Sequence, residues 1–522
     1  METFRNKAKF DFGGIFIFEL ANNHQGKIDH GLNIVREMSN LAREFGIRGA
    51  MKFQFRDLSR IIHPNFEQFS NSNYIPRFLN TKLGEEDFTN LINESRHQGL
   101  LTITTPFDEE SVGQIEKMGI EVIKIGSPSN QDWPLLERVA EANKPVICST
   151  GGLPIPDIDK IVSFFNKRAV DFALMHCVSL YPTPNGKLYL NQIETLKNRY
   201  PNITIGFSTH EDPGNLNAIR IAYAKGARFF EKHVGIKTDE IKLNAYSATP
   251  EQIRAWLSAY KEAVESIGDN GTREISEKER QDLKTFVRGV WASREIKAGE
   301  SIGKDDVFFA MPFQEGQLVS GNFHPGLVAN RSYSMSEAID EEIKPAGKSK
   351  KEIVYHSIHA VKGMLNEAKV PLGHDFQVEL SHHYGIERFH EVGSTIITCF
   401  NKEYAKKVIV ALPGQWNPEH YHKKKDETFQ ILNGTLEAEI NGRRKILEPG
   451  DSLWIPRGVL HAFGSEHGAV FEEISTTDYN GDSFYTDRSI AAMNREDRKT
   501  KLLNWGQHQM DAFDEGGEVK VS

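Results

Sequence analysis

The sequence predicts an α/β chain: a closed TIM, or (β/α)8, barrel, followed by a small β-clip and an all-β antiparallel barrel. Three observations carry that prediction. Eight short β-rich runs alternate with helix-patterned segments between Ile15 and Gly235. The polar residues of those runs gather at their C-terminal ends. Beyond Thr395 the pattern changes to short alternating strands, separated by turns at Asn433–Gly434, Asn441–Gly442 and Pro449–Gly450.

Bulk properties set the frame. A chain of 522 residues leads to an expectation of three or four domains. Its 39% hydrophobic and 26% charged content is that of an ordinary soluble globular protein. A net charge of −9 argues against nucleic acid or an anionic membrane as partner. No apolar run approaches the roughly 20 residues that span a bilayer. Met1–Phe12 is charged and lacks the apolar core of a signal peptide, so a cytoplasmic location is expected. The three cysteines, Cys148, Cys177 and Cys399, lie in apolar runs and read as buried thiols of a reducing compartment.

The eight runs are 15–24, 49–55, 100–107, 121–127, 145–151, 171–179, 203–210 and 228–235. Near-continuous apolar strands separated by amphipathic segments, such as His30–Phe45 and Glu85–Gln98, indicate a parallel sheet covered on both faces. An open doubly wound sheet is the alternative, and eight units in one span favour closure. In a closed barrel the C-terminal strand ends converge on one mouth. There the sequence places Glu19, Asn22, Asn23 and His24; Lys52 and Gln54; Thr104 and Thr105; Lys124 and Ser127; Ser149 and Thr150; His176, Ser179 and Tyr181; Ser208 and His210; and Glu231 and His233. Lys52 and Lys124, with hydroxyls from Thr105, Ser127, Ser149 and Ser208, can hold a small multiply charged anion. His210 and His233, on adjacent strands, can share a metal that polarises a carbonyl.

In order along the chain, the blocks ELANNHQG, MKFQ, TTPF, KIGS, CSTG, MHCVSLYPTP, IGFSTH and FFEKH resemble those of sialic acid synthases and related nonulosonic acid synthases, over residues 12–265. The resemblance implies condensation of phosphoenolpyruvate with the open-chain aldehyde of a sugar. Water attacks C2 of phosphoenolpyruvate and phosphate leaves, for surface-glycan biosynthesis. It implies that Lys52, Thr105, Lys124, Ser127, Ser149 and Ser208 hold phosphoenolpyruvate, with Asn22, Asn23 and Ser179 also lining the substrate site. His210 and His233 hold Mn2+ or Mg2+, and Gln54 and Tyr181 face the acceptor. The resemblance further implies that Lys52, Gln54, Glu19, Tyr181 and Glu231 form the catalytic set. Three departures bear on the acceptor. Ser129 stands where the family commonly has a glutamate, Ser179 replaces an asparagine, and the acidic residue expected near the end of the barrel is not evident in KLNAYSATP.

After a charged connection at Glu274–Lys284, residues 285–340 contain short strands and a KAGE turn. Beside the barrel they resemble the antifreeze-like (SAF) domain of those synthases, which reaches across a homodimer and donates an arginine to the acceptor's N-acyl group. Met311 stands at the expected position of that arginine. Residues 341–373 read as a linker and a helix, 374–490 as the last domain and 491–522 as a tail.

In that last domain Gly414, His420, His422, Glu427 and Gly434 are followed by Gly450, Pro456, Gly458 and His461. Three imidazoles and one carboxylate, His420, His422, His461 and Glu427, make a set for a divalent ion: Mn2+, Zn2+, Fe2+ or Ni2+. The spacing resembles both signature motifs of the cupin superfamily. EEISTTDYNGDSFYTD resembles the tail of lyxose-isomerase-like cupins, which implies a sugar isomerase or epimerase with Glu472 or Glu473 as the proton-moving base. A regulatory sugar-binding module is the competing reading.

Overall fold

The structure is a computed structural model and describes residues 9–66, 74–268, 273–343, 350–373 and 375–502. Residues 1–8, 344–349 of the predicted linker, the boundary residue 374 and residues 503–522 of the predicted tail lie outside the described residues. The chain divides into two compact units, Met1–Thr272 and Arg273–Ser522.

The first unit is the predicted closed barrel. Its strands are β1 (Ile15–Glu19), β2 (Arg48–Phe55), β3 (Leu101–Pro106), β4 (Val122–Ile125), β5 (Val146–Ser149), β6 (Phe172–Cys177), β7 (Ile205–Thr209) and β8 (Phe229–His233). All neighbours are parallel, and β8 closes on β1 with Glu19 opposite His233. Side chains alternate along each strand. One set, Ile15, Ile17, Ala50, Ile103, Val122, Ile147, Ala173, Met175 and Phe229, packs inside the barrel, with Phe12 in the same cluster. The other set, including Phe16, Phe18, Phe53, Val146 and Phe207, packs outward against the helices. The amphipathic helix Ile28–Phe45 shows the logic of that shell. It buries Ile34, Val35, Met38, Leu41 and Ala42, then stops at Gly46, whose φ of 60° lets its N–H return to the carbonyls of Ala42 and Arg43.

This alternation corrects two expectations. Thr104 and His176 were placed at the mouth, but both are one residue out of phase with the inward row. His176 stacks on Phe207 and bonds the Leu188 carbonyl at 2.8 Å in the outer shell.

In the second unit, residues 289–343 form a small β module. Gly289–Ala292 pairs with Val307–Ala310, and Ser301–Ile302 with Leu327–Val328, around Val290, Ile296, Leu318, Tyr333 and Ile339. Ile343 joins that core, three residues past the predicted boundary. Two antiparallel sheets follow, of seven and five strands. Phe429, Ile431 and Phe471 of one pack on Leu436, Ala438 and Phe463 of the other. The boundaries of this domain shift at both ends. The helix Lys350–Glu367, expected in the linker, buries Val354, Ile358, Val361 and Leu365 against the seven-stranded sheet. The expected tail supplies Lys499–Leu502, which pairs with Gln377–His382. That strand escapes notice in the sequence because three of its four residues are polar.

Candidate active site and metal centre

The inward row of the barrel turns from apolar to charged at the third rung. Ile15 and Ile17 lead to Glu19, Ala50 to Lys52, Val122 to Lys124, and Phe229 to Glu231. Lys52 Nζ pairs with Glu19 and lies 2.9 Å from Glu231 Oε1. Lys124 Nζ lies 3.3 Å from Glu231 Oε2 and donates to Ser149 Oγ at 2.8 Å. Ser208 Oγ donates to Glu231 Oε1 at 3.2 Å. All six side chains are buried. Burial alone would lower the Lys52 pKa, but Glu19 and Glu231 outweigh it and raise it. Burial likewise opposes ionisation of Glu231, yet Lys124 and Lys52 hold its pKa well below the usual carboxylate range. Glu19, with burial dominant, is pushed up. Lys124 is pushed down, chiefly by burial. The two carboxylates are therefore driven apart, one toward the ionised and one toward the protonated form.

His210 and His233 meet at the mouth with ring centroids 5.3 Å apart. Burial holds both basicities down, His210 to about 4, so both are neutral imidazoles. His210 Nδ1 bonds the Val178 carbonyl at 3.1 Å, which leaves Nε2 free. His233 Nδ1 is buried without a partner. Unprotonated buried ring nitrogens suit a divalent ion with open positions. Tyr181 lies 4.4 Å from the His210 ring and is half exposed. Tyr246, in the stretch KLNAYSATP that lacks the expected acidic residue, stands 5.1 Å from His233 and 5.3 Å from Tyr181.

The other predicted residues divide by role. Thr105 is buried with its hydroxyl unpartnered. Ser127 Oγ lies 3.5 Å from Cys177 Sγ, beside Gly151. Ser179 is exposed and lines the same glycine. Gln54 accepts a bond from Arg56. Asn22 is buried. Asn23 spends its amide on the Val234 carbonyl (2.8 Å) and Ser247 Oγ (3.0 Å), so it ties β8 to the loop after β1.

In the second unit the cupin residues converge. His420 and His422 end the strand Gln415–His422, Glu427 opens Glu427–Gly434, and His461 opens His461–Ser465. The register shifts between Asn417 and His420, where Pro418 cannot donate to the ladder. Each imidazole is oriented through Nδ1: His420 on the Pro418 carbonyl (2.9 Å), His422 on Asp482 (2.8 Å) and His461 on Val459 (3.0 Å). A carbonyl can only accept, so Nδ1 carries the proton and each Nε2 presents a lone pair. His461 Nε2 then faces Glu427 Oε1 at 2.8 Å, two acceptors in a buried space. That arrangement calls for a cation between them. Ligand atoms of His420, His422 and His461 lie within 4.8 Å of one another, the only such three-residue group found among the described residues.

A charged cluster adjoins this centre. Lys425 Nζ lies 2.6 Å from Glu427 Oε2 and 2.8 Å from Glu473 Oε1. Lys407 Nζ reaches Glu473 Oε1 and Asp478 Oδ2, each at 3.1 Å. Glu472 points away and pairs with Lys406 at 2.8 Å, so of the two predicted bases only Glu473 is inside. In sequence Lys425 belongs to KKKD, a run that reads as solvated. The inward turn comes from Asp482, whose carboxylate accepts from the backbone N–H groups of Lys423, Lys424 and Lys425.

Comparison with known proteins agrees with both halves. Residues 40–272 match the NeuB family and residues 408–474 the cupin domain. An uncharacterized protein of Methanocaldococcus jannaschii is 34% identical over 57% of this chain and 84% of its own length. The pseudaminic acid synthase of Campylobacter jejuni is 26% identical over 57% of this chain and 86% of its own. Among solved structures, a putative spore coat polysaccharide biosynthesis protein E from Chromobacterium violaceum is 43% identical, covering 64% of this chain and all of that one, with a TM-score of 0.59.

Proposed function

The chain belongs to the NeuB family, and on that footing we propose that its barrel condenses phosphoenolpyruvate with the aldehyde of a sugar. The products are a 3-deoxy-2-keto acid of nonulosonic type and phosphate. The observation that carries this reading is the buried Lys52–Glu231–Lys124 cluster beside two neutral imidazoles. Two ammonium groups with the hydroxyls of Thr105, Ser127, Ser149 and Ser208 match the phosphate and carboxylate of phosphoenolpyruvate. A divalent ion, Mn2+ or Mg2+, on His210 and His233 supplies Lewis-acid polarisation of the acceptor carbonyl. Glu231, held ionised, takes the proton of the water that attacks C2. Glu19, held toward the protonated form, gives a proton to the aldehyde oxygen as C3 bonds to the carbonyl carbon. Phosphate release is measured with a panel of sugars, with and without Mn2+. Release with one acceptor and a product mass equal to the summed skeletons is expected, and no release with any acceptor removes the reading.

A second reading concerns the cupin, and the inward lone pairs of His420, His422 and His461 with Glu427 favour it. We infer a divalent ion there and a second sugar-handling step, an isomerisation or epimerisation with Glu473 as the interior carboxylate. Loss of isomerisation in His420→Ala, tested on free sugars and sugar phosphates, is the expected result; unchanged turnover removes it. A homodimer, with residues 289–343 as an antifreeze-like domain, completes the proposal, and sedimentation as a monomer at micromolar protein would count against it. No helix among the described residues is long and apolar enough to cross a membrane.

A further inference from the structure

Arg56 is the last member of a row that begins at Lys52. Lys52, Gln54 and Arg56 follow one another at two-residue spacing and so share a face. Lys52 shows that this face is the inside of the barrel. The row climbs roughly 13 Å from Lys52 to Arg56, at about 3.3 Å per residue.

Two aromatic rings hold the guanidinium at the top of that climb. Its carbon lies 3.9 Å from the ring centroid of Phe107 and 4.3 Å from that of Phe78. A planar cation between rings keeps its N–H edge open. One of the five N–H donors goes to Gln54 Oε1. Among the described residues no carboxylate pairs with Arg56. The acidic groups whose field it feels are spent elsewhere. Glu19 serves Lys52 and the Ala21 N–H, and Asp108 accepts from the N–H groups of Ser111 and Asp57 at 2.8 Å. Burial, joined by the like charge of Arg77, holds the Arg56 pKa down at about 10. Arg77 also lies against the hydroxyl of Tyr246, which stands over the His210–His233 pair. Among the described residues neither arginine has a carboxylate partner, while the lysines below are already paired.

We propose that Arg56, with Arg77 beside it, binds an anionic group on the acceptor sugar, a phosphate ester or a carboxylate, at the end remote from the aldehyde. The proposal rests on the condensation reading and names the acceptor class for it. The aldehyde lies low, near Glu19 and His233. A six-carbon chain ending in phosphate covers the climb past Gln54. The planar fork of Arg56 then meets two anionic oxygens at once.

The test uses the full chain with Mn2+, phosphoenolpyruvate and matched acceptors: mannose against mannose 6-phosphate, and glucose against glucuronate. At least about a tenfold preference for a charged member is expected, the scale of one charge-assisted hydrogen-bonded pair, expressed in KM. The pair that shows it tells phosphate from carboxylate. Arg56→Gln should collapse the ratio, and Arg56→Lys should restore part of it. Equal kcat/KM within both pairs, or a ratio that survives Arg56→Gln, overturns the proposal. Calorimetry of mannose 6-phosphate and glucuronate with the Mn2+-loaded chain, without phosphoenolpyruvate, separates this from the condensation reading. If no sugar releases phosphate, that reading falls, yet binding lost in Arg56→Gln sustains the anion site. Absent binding, or binding indifferent to Arg56→Gln, removes it.

Discussion

Glu231 is held by two ammonium groups at once: its Oε1 lies 2.9 Å from Lys52 Nζ and its Oε2 lies 3.3 Å from Lys124 Nζ. A carboxylate bridged in this way cannot be changed alone without leaving a buried cation uncompensated.

Lys52→Met therefore strands Glu19 and leaves Glu231 with Lys124 alone. Loss of about 3–5 kcal/mol of stability is expected, together with loss of phosphate release from phosphoenolpyruvate. Denaturant unfolding and a phosphate assay check the two effects. Lys52→Met combined with Glu19→Gln, which keeps the Lys124–Glu231 pair, should recover part of the stability and none of the turnover.

Gly151 leaves room that the hydroxyls need. A Cβ there would stand 2.3 Å from Ser127 Oγ and 2.6 Å from Ser179 Oγ. Gly151→Ala should displace both and raise the KM for phosphoenolpyruvate by about tenfold, the scale of one lost hydrogen bond to a charged group. Steady-state kinetics give the answer, and an unchanged KM would show that Ser127 does not touch this substrate.

The acid limit of the barrel is set in part by His24. Burial lowers its pKa from 6.5 to about 4, and its Nδ1 accepts from the Gly26 N–H at 3.0 Å. The unfolded chain binds the proton more readily, so stability is full above about pH 6.5 and is lost as pH falls toward 4. Between pH 6.5 and 5 the loss is about 2 kcal/mol from this group. His24→Gln should flatten that part of the pH–stability curve, measured by urea unfolding.

Lys425 ties a predicted metal ligand to the charged cluster. Lys425→Met leaves Glu427 and Glu473 without it and should cost about 3–5 kcal/mol. His461→Ala removes a ligand and should lower the bound divalent metal by one equivalent per chain. Elemental analysis after exhaustive dialysis decides; undiminished metal would place the ion elsewhere.

Much of this was legible in the residues. Lys52, Lys124 and Glu231 break apolar strands, and a charge in a strand buried on both faces requires a partner or a ligand. The cupin spacing is rigid because each residue must arrive from a set strand. The remainder was hidden for physical reasons. Thr104 and His176 sit near strand ends, where the phase of a period-two pattern depends on a boundary the sequence blurs. Tyr246 and Arg56 lie beyond strand ends, where the period-two pattern no longer points. Lys425 is turned inward by the Asp482 carboxylate, distant in sequence and invisible in composition.

The strand Lys499–Leu502 lies at the end of the seven-stranded sheet, and Thr500 meets His382 across 118 residues of chain. During synthesis the earlier strands of the cupin leave the ribosome before this one exists, so Gln377–His382 spends that interval as an open edge. A chain cut after residue 498 would keep that edge for good. It would expose a row of backbone groups that Lys499–Leu502 now satisfies, ready to pair with a second molecule instead.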